Sequence, residues 1–176
     1  MPTKRGGRGF VPQAESEQAL QDLMARHGDS VDQDSFQAVW LLHQAADAAR
    51  AFQTAEILDT YRLTWAQFEV VWNLWLFGER DAGWVAGAAM VSKSGLTTIL
   101  SQLSARGLVS RRPDPDDARR SLVQLSDEGT ETMLRLFREM NTAEARFAAP
   151  LSSGEKQELA RLLNAMLAGW DETLRP

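Results

Sequence analysis

The chain has 176 residues, 44% of them apolar and 24% charged, so a folded globular protein is expected and wholesale disorder or a membrane protein is not. That length suits one well-buried core with an oligomerisation element and is cramped for two full domains. With a net charge of -5, a polyanion is expected to dock only where positive potential is locally concentrated. The absence of cysteine excludes disulfides and thiolate metal sites, two histidines, His27 and His43, do not make a histidine-rich one, and no cofactor is expected.

Residues 1–13 carry Lys4, Arg5 and Arg8 among glycines and prolines, a composition that cannot fill a core, and read as a flexible basic arm. The arm lacks the apolar stretch of a secretory signal, and no run of about 18 apolar residues occurs anywhere. No membrane contact is expected, and a cytoplasmic location is. Residues 14–26 form a short amphipathic helix with Leu20, Leu23 and Met24 inward, ended by Gly28. Asp32 or Asp34 then opens a longer helix to about Tyr61, whose apolar face includes Phe36, Val39, Trp40, Leu42 and His43.

Thr64-Trp-Ala-Gln67 is a capping box, with Leu63 and Phe68 as its hydrophobic staple, and predicts a helix to about Phe77. That helix is apolar nearly all round, so it should be central. A short helix over 82–89 follows, its small residues leaving room for a close neighbour. Ser92 is a good N-cap for a helix to Arg106, and Gly107 is its left-handed stop. Residues 108–112 and 121–125 read as two strands joined by a loop in which Pro113 and Pro115 break pairing. Ser126 caps a long helix to about Ala148, Pro150 ends it, and Ser152-Ser-Gly-Glu155 is a second capping box. The last helix carries Leu159, Leu162, Leu163, Met166, Leu167 and Trp170 on one stripe.

Within this acidic chain, residues 82–113 contain no acidic side chain, while Lys93, Arg106, Arg111 and Arg112 concentrate positive potential there. At 100° per residue, the helix 93–106 gathers Leu96, Ile99, Leu100 and Leu103 on one side. Ser94, Thr97, Thr98, Ser101 and Ala105 fall on the other, a small, polar, uncharged face that fits a major groove, where hydroxyls and threonine methyls meet base edges. Ser92, Lys93 and the helix N-terminus suit phosphate. The hairpin after it makes a wing, with Arg119 at the tip for the minor groove, Asp117 bracing it, and Arg111, Arg112 and Arg120 beside the backbone. Double-stranded DNA is the expected partner.

On the run VSKSGLTTILSQLSARGLVSRR (91–112), the Asp117-x-Arg119 signature and Leu125-Ser126 with Gly129, the chain resembles the MarR family of bacterial transcriptional regulators over about residues 35–172. The resemblance implies a mainly α fold with a small β-hairpin wing, a winged helix-turn-helix lobe over 63–126. It also implies a homodimer formed by the helices of 14–62 and 127–176. Ser92, Lys93, Ser94, Thr97 and Thr98 would lie in the recognition helix and Arg119 would be the wing arginine; many members place arginine where Thr98 stands. Relatives commonly respond to phenolic or aromatic compounds, and those that sense peroxide use cysteine, absent here. The expected function is therefore a repressor of a palindromic operator, released by a small aromatic effector.

The chain has six tryptophans, and an aromatic pocket of Trp40, His43, Trp65, Phe68 and Trp72 is the candidate effector site, the alternative being core and interface filler. Asp114, Asp116 and Asp117 raise the option of an enzyme, but no nucleophile elbow or phosphate-binding glycine loop accompanies them, and no catalytic residue is assigned. A winged-helix module that binds protein rather than DNA is the other alternative.

Overall fold

The computed structural model describes residues 13–27, 32–117 and 120–170. The basic arm with Lys4, Arg5 and Arg8, the stop at Gly28 and the wing-tip Arg119 lie outside the described residues. The chain divides into two compact units, one through Asp47 and one from Ala48 onward.

In the first unit, α1 is Gln13–His27, with Leu20 and Met24 half-buried and Leu23 exposed. The second helix, α2, is Gln33–Gln53, running on into the second unit. The Asp32 carboxylate accepts from the Ser35 amide at 3.1 Å and the Ser35 hydroxyl at 2.6 Å, so Asp32 rather than Asp34 starts it. Its expected inward face is not buried: Phe36, Val39 and Trp40 remain 36%, 41% and 38% exposed, and α2 buries no residue.

The expected single helix to Tyr61 changes character at Thr54–Leu58, a π-helical turn in which Asp59 N–H reaches Thr54 O at 2.9 Å. Widening the turn brings Leu58 fully into the core with Ile57 packed against it, while Glu56 pairs with Arg146 at 2.9 Å. Helical periodicity alone carries no mark of such a turn, which coincides with the burial of Leu58 in the core.

The second unit is built on α3, Trp65–Phe77, whose capping box forms as expected: Thr64 Oγ1 accepts from Gln67 N–H at 3.2 Å and Gln67 Oε1 from Thr64 N–H at 3.0 Å. Phe68, Val70, Val71 and Leu74 are buried, with Leu63 beside them. Then come α4, Ala82–Ala88, and α5, Lys93–Ala105, each with an N-cap, Asp81 and Ser92 respectively. At the end of α5, Gly107 takes φ 72°, Leu108 N–H donates to Leu103 O and Gly107 N–H to Ser104 O, a Schellman stop whose Leu103 and Leu108 are both buried.

The sheet has three strands in the order β1-β3-β2, all antiparallel: β1 is Arg80–Asp81, β2 Val109–Pro113 and β3 Ser121–Leu125. Sequence reading missed β1, since two polar residues have no alternation to detect and only the neighbouring β3 makes them a strand. Pro113 ends β2 on an edge, where its missing N–H costs no ladder bond. Two further helices follow, α6 (Asp127–Phe147) and α7 (Ser153–Gly169). Leu58, Val71, Leu74, Leu100, Leu103, Val123, Met133 and Leu136 meet in one core. The pair α4–α5 followed by the β2–β3 hairpin is a winged helix-turn-helix.

Gly129, in the first turn of α6, lies so close to Leu108, the residue before β2, that an added Cβ would sit 2.0 Å from Leu108 O, whereas Gly154 in α7 has open space around it. Gly129→Ala should destabilise the protein by about 2 to 3 kcal/mol through forced backbone displacement. Gly154→Ala, the control, should be neutral or slightly stabilising. Denaturant midpoints of the two variants measure the difference.

Candidate nucleic-acid interface

Three buried leucines, Leu96, Leu100 and Leu103, seat α5 on the core with Ile99 half-buried. That seating turns Ser94, Thr97, Thr98, Ser101 and Ala105 outward, and all are exposed. The Ser92 hydroxyl caps the helix, accepting from Gly95 N–H at 3.1 Å, and lies 3.2 Å from the Ser94 hydroxyl. Thr97 and Thr98 donate their hydroxyl protons to Lys93 O at 3.1 Å and Ser94 O at 3.4 Å. With the protons engaged, these threonines offer oxygen lone pairs and methyl groups to a visitor, matching donor groups and thymine methyls on base edges.

The helix is also laced at its far end. Gln67, buried at the start of α3, donates to Gln102 Oε1 at 2.7 Å. Arg106 donates to the backbone oxygens of Arg62 at 2.9 Å and Tyr61 at 2.7 Å, so a cation expected to face a polyanion instead ties α5 to the turn before α3. Tyr61 in turn donates to Glu139 of α6 at 2.9 Å, and burial first, then this bond, raises its phenol above the ordinary value.

The remaining cations separate into two groups. Lys93, Arg111 and Arg120 line a groove of about 330 Å³ between α5, the start of α4 and the hairpin, together with Asp81, Thr97 and Ser121. Arg112 is held elsewhere: its Nε and Nη2 donate to the two carboxylate oxygens of Glu79 at 2.8 and 2.5 Å. Those bonds hold the guanidinium still more firmly in its charged form. The sequence showed the acid-free stretch but not that Glu79, just ahead of it, reaches 33 positions forward to Arg112.

In the hairpin loop, Asp116 N–H donates to Asp114 Oδ1 at 2.9 Å, and Asp117 accepts Arg120 N–H on its backbone oxygen at 2.8 Å. The Asp117 carboxylate stands 4.0 Å from Arg120 Nε, and the expected brace on Arg119 lies outside the described residues. These acids shape a turn. Among the described residues, no three His, Cys, Asp or Glu side chains are grouped to hold a metal ion, and no helix is long and apolar enough to cross a membrane.

Of the candidate effector residues, Trp65, Phe68 and Trp72 come together, with ring centroids 5.3 Å and 5.8 Å apart in succession. Arg50 stands over the Trp65 ring at 5.2 Å. Trp40 and His43 belong to the other unit, where Trp40 stacks on Phe36 at 6.3 Å and His43 is exposed. Sequence reading left out Trp75 and Phe137, which join Trp72 at 5.5 and 6.0 Å. Trp75 was open to inclusion by its helical spacing from Trp72, whereas Phe137 arrives from α6 through the fold alone.

Residues 63–121, from the staple of α3 to the start of β3, match the model of the MarR family. The regulator PecS of Dickeya dadantii is 30% identical over 111 residues, 61% of this chain and 67% of that protein. The uncharacterised regulator YwaE of Bacillus subtilis is 23% identical over 149 residues, 85% of this chain and 87% of its own length. The solved structure of BpsR from Bordetella bronchiseptica, a protein whose DNA binding is regulated by 6-hydroxynicotinic acid, is 26% identical. It covers 74% of this chain and 98% of that one with a TM-score of 0.65. MarR-family proteins are DNA-binding regulators rather than enzymes. With the winged helix-turn-helix in place, a bare hydroxyl face on α5 and these matches around it, the chain belongs to the MarR family of transcriptional regulators.

Proposed function

We propose that this regulator is a cytoplasmic homodimer that represses transcription from a palindromic operator and is released by a small aromatic or phenolic compound. The observation that carries the reading is the exposed, uncharged face of α5, with Lys93, Arg111 and Arg120 gathered beside it. In this reading Ser94, Thr97, Thr98 and Ser101 meet base edges. Ser92, Lys93, Arg111 and Arg120 meet phosphates, and Arg119 enters the minor groove with Asp117 shaping its loop. Lobe 63–126 reads the duplex.

The dimer reading draws on helices with too little to bury. No residue of α7 is buried, and its Leu159, Leu162, Met166 and Leu167 are 47%, 47%, 45% and 62% exposed. The expected inward face of α2 is similarly bare. Apolar stripes of this size suit burial against a second copy, which supports a dimer formed by the helices of 14–62 and 127–176. Two-fold symmetry then sets paired recognition helices about one DNA turn, roughly 34 Å, apart.

For the effector, Trp65, Phe68 and Trp72 supply flat apolar walls, Trp40 and His43 are further candidates in the other unit, and BpsR supplies the precedent of a hydroxylated aromatic acid. An effector that prefers a dimer with a different spacing empties the operator by population shift. Moving the protein from mostly bound to mostly free takes about 5 kcal/mol of differential affinity.

Leu162→Glu combined with Met166→Glu should convert the dimer to monomer in sedimentation velocity and remove operator binding; a variant that stays dimeric speaks against α7 as the interface. Footprinting upstream of the protein's own gene should reveal a protected palindrome, and one member of a panel of hydroxylated aromatic acids should abolish the protection. Arg119→Ala should weaken binding to that palindrome by about 1 to 3 kcal/mol in an equilibrium titration.

A further inference from the structure

Arg111 and Arg112 are neighbours on β2, and successive residues of a strand point to opposite faces, so two adjacent cations cannot do the same work. Arg111 lines the cationic groove beside α5 with Lys93 and Arg120. Arg112 instead makes the two-pronged contact with Glu79, at 2.8 and 2.5 Å. Glu79 stands immediately before β1, and β1 and β2 flank β3 in the sheet. The ion pair therefore bridges the two edges of the sheet across its central strand, at the level where Arg112 and Asp81 are both opposite Leu122.

We propose that Glu79 and Arg112 are a positioning pair for DNA recognition: the clamp sets the angle of the wing against the helix-turn-helix and removes Arg112 from contact with phosphate. The inference rests on the reading in which the wing meets the duplex, and adds to it a division of labour among the arginines. A planar guanidinium held by both carboxylate oxygens has one orientation, so the pair constrains direction where a lysine or a single bond leaves a swivel. The side chains are 50% and 28% exposed, so solvent screens the attraction and its weight in global stability is small. Geometry is what such a pair contributes. Val109 and Val123 anchor the base of the hairpin in the core, and the β1 ladder adds only Arg80 with Val123 and Asp81 with Leu122, so the pair is a further restraint on the part of the wing beyond that anchor. Electrostatically, Glu79 offsets Arg112, and among the described residues Lys93, Arg111 and Arg120 line the groove on this side.

The test uses the full-length protein and two probes: a duplex that the wild type selects from a random-sequence pool, and a mixed-sequence duplex of equal length. On the mixed-sequence duplex, Arg111→Ala should flatten the slope of log affinity against log salt by about one per protomer, and Arg112→Ala should leave it within about 0.3 of wild type. Glu79→Gln should steepen it, because the freed guanidinium gains a phosphate. On the selected duplex, Glu79→Gln and Arg112→Ala should each lose about tenfold in affinity with nearly unchanged thermal midpoints. The exchanged pair, Glu79→Arg with Arg112→Glu, should recover most of that loss. Arg112→Ala flattening the slope as Arg111→Ala does makes Arg112 a phosphate contact and overturns the proposal, as does wild-type affinity of Glu79→Gln for the selected duplex. A folded exchange variant that recovers nothing also overturns it. If the wild type selects no duplex at all, the operator reading falls and the clamp with it; if it selects one that Glu79→Gln binds equally well, the clamp alone falls.

Discussion

The working surface of this protein depends on how one helix is seated. Leu96, Leu100 and Leu103 are buried against a core that also receives Leu58, Val71, Leu74 and Leu136, and burying that stripe compels the opposite side of α5 to face outward. The residues on that side are small and hydroxylated. They cannot shield themselves with long charged side chains, and their hydroxyl protons are already engaged by the helix backbone at Thr97 and Thr98. A surface so shallow and so uniformly oriented is suited to entering a groove, and polar contacts at the C-terminal end of α5 keep it in position.

Several restraints act on the same helix from different parts of the chain. The Schellman stop at Gly107 fixes its end, and the turn continues directly into β2. Leu108 O then accepts the amide of Ser126, so the start of α6 is tied to the end of the recognition helix at the point where Gly129 permits close approach. Gln67 serves at once as a cap for α3 and as a donor to Gln102. Arg106 completes the lacing by gripping the carbonyls that precede α3. Because these contacts are mostly polar and geometrically strict, they specify orientation rather than supply the bulk of stability, which comes from the apolar core.

Charge is distributed by the same logic. A chain with net charge -5 attracts a polyanion only where acids are locally excluded, and the stretch from Ala82 to Pro113 provides this. Within it the cations differ in role. Arg106 is committed to backbone carbonyls and Arg112 to Glu79, while Lys93 and Arg111 open onto the groove with Arg120. Positive residues that look equivalent in a string are thus divided between those held by the protein's own acceptors and those that line the groove.

Much of this was legible from local chemistry. The capping boxes at Thr64 and Ser152, the N-caps at Ser92 and Ser126, the stop at Gly107 and the two faces of α5 all rest on interactions within a few residues, and side chains that close encode them directly. The π-helical turn at Thr54–Leu58, the strand Arg80–Asp81, the Glu79–Arg112 pair and the meeting of Phe137 with Trp72 were not legible. The last three depend on a partner brought from tens of positions away, and two polar residues or one glutamate carry no periodicity that would announce it. The sequence by itself determined which segments are helices, where the capped ones begin, and which face of α5 is bare. Only the tertiary structure decided which arginines remain available at that face, because availability depends on whether a distant carboxylate or carbonyl has already satisfied the guanidinium.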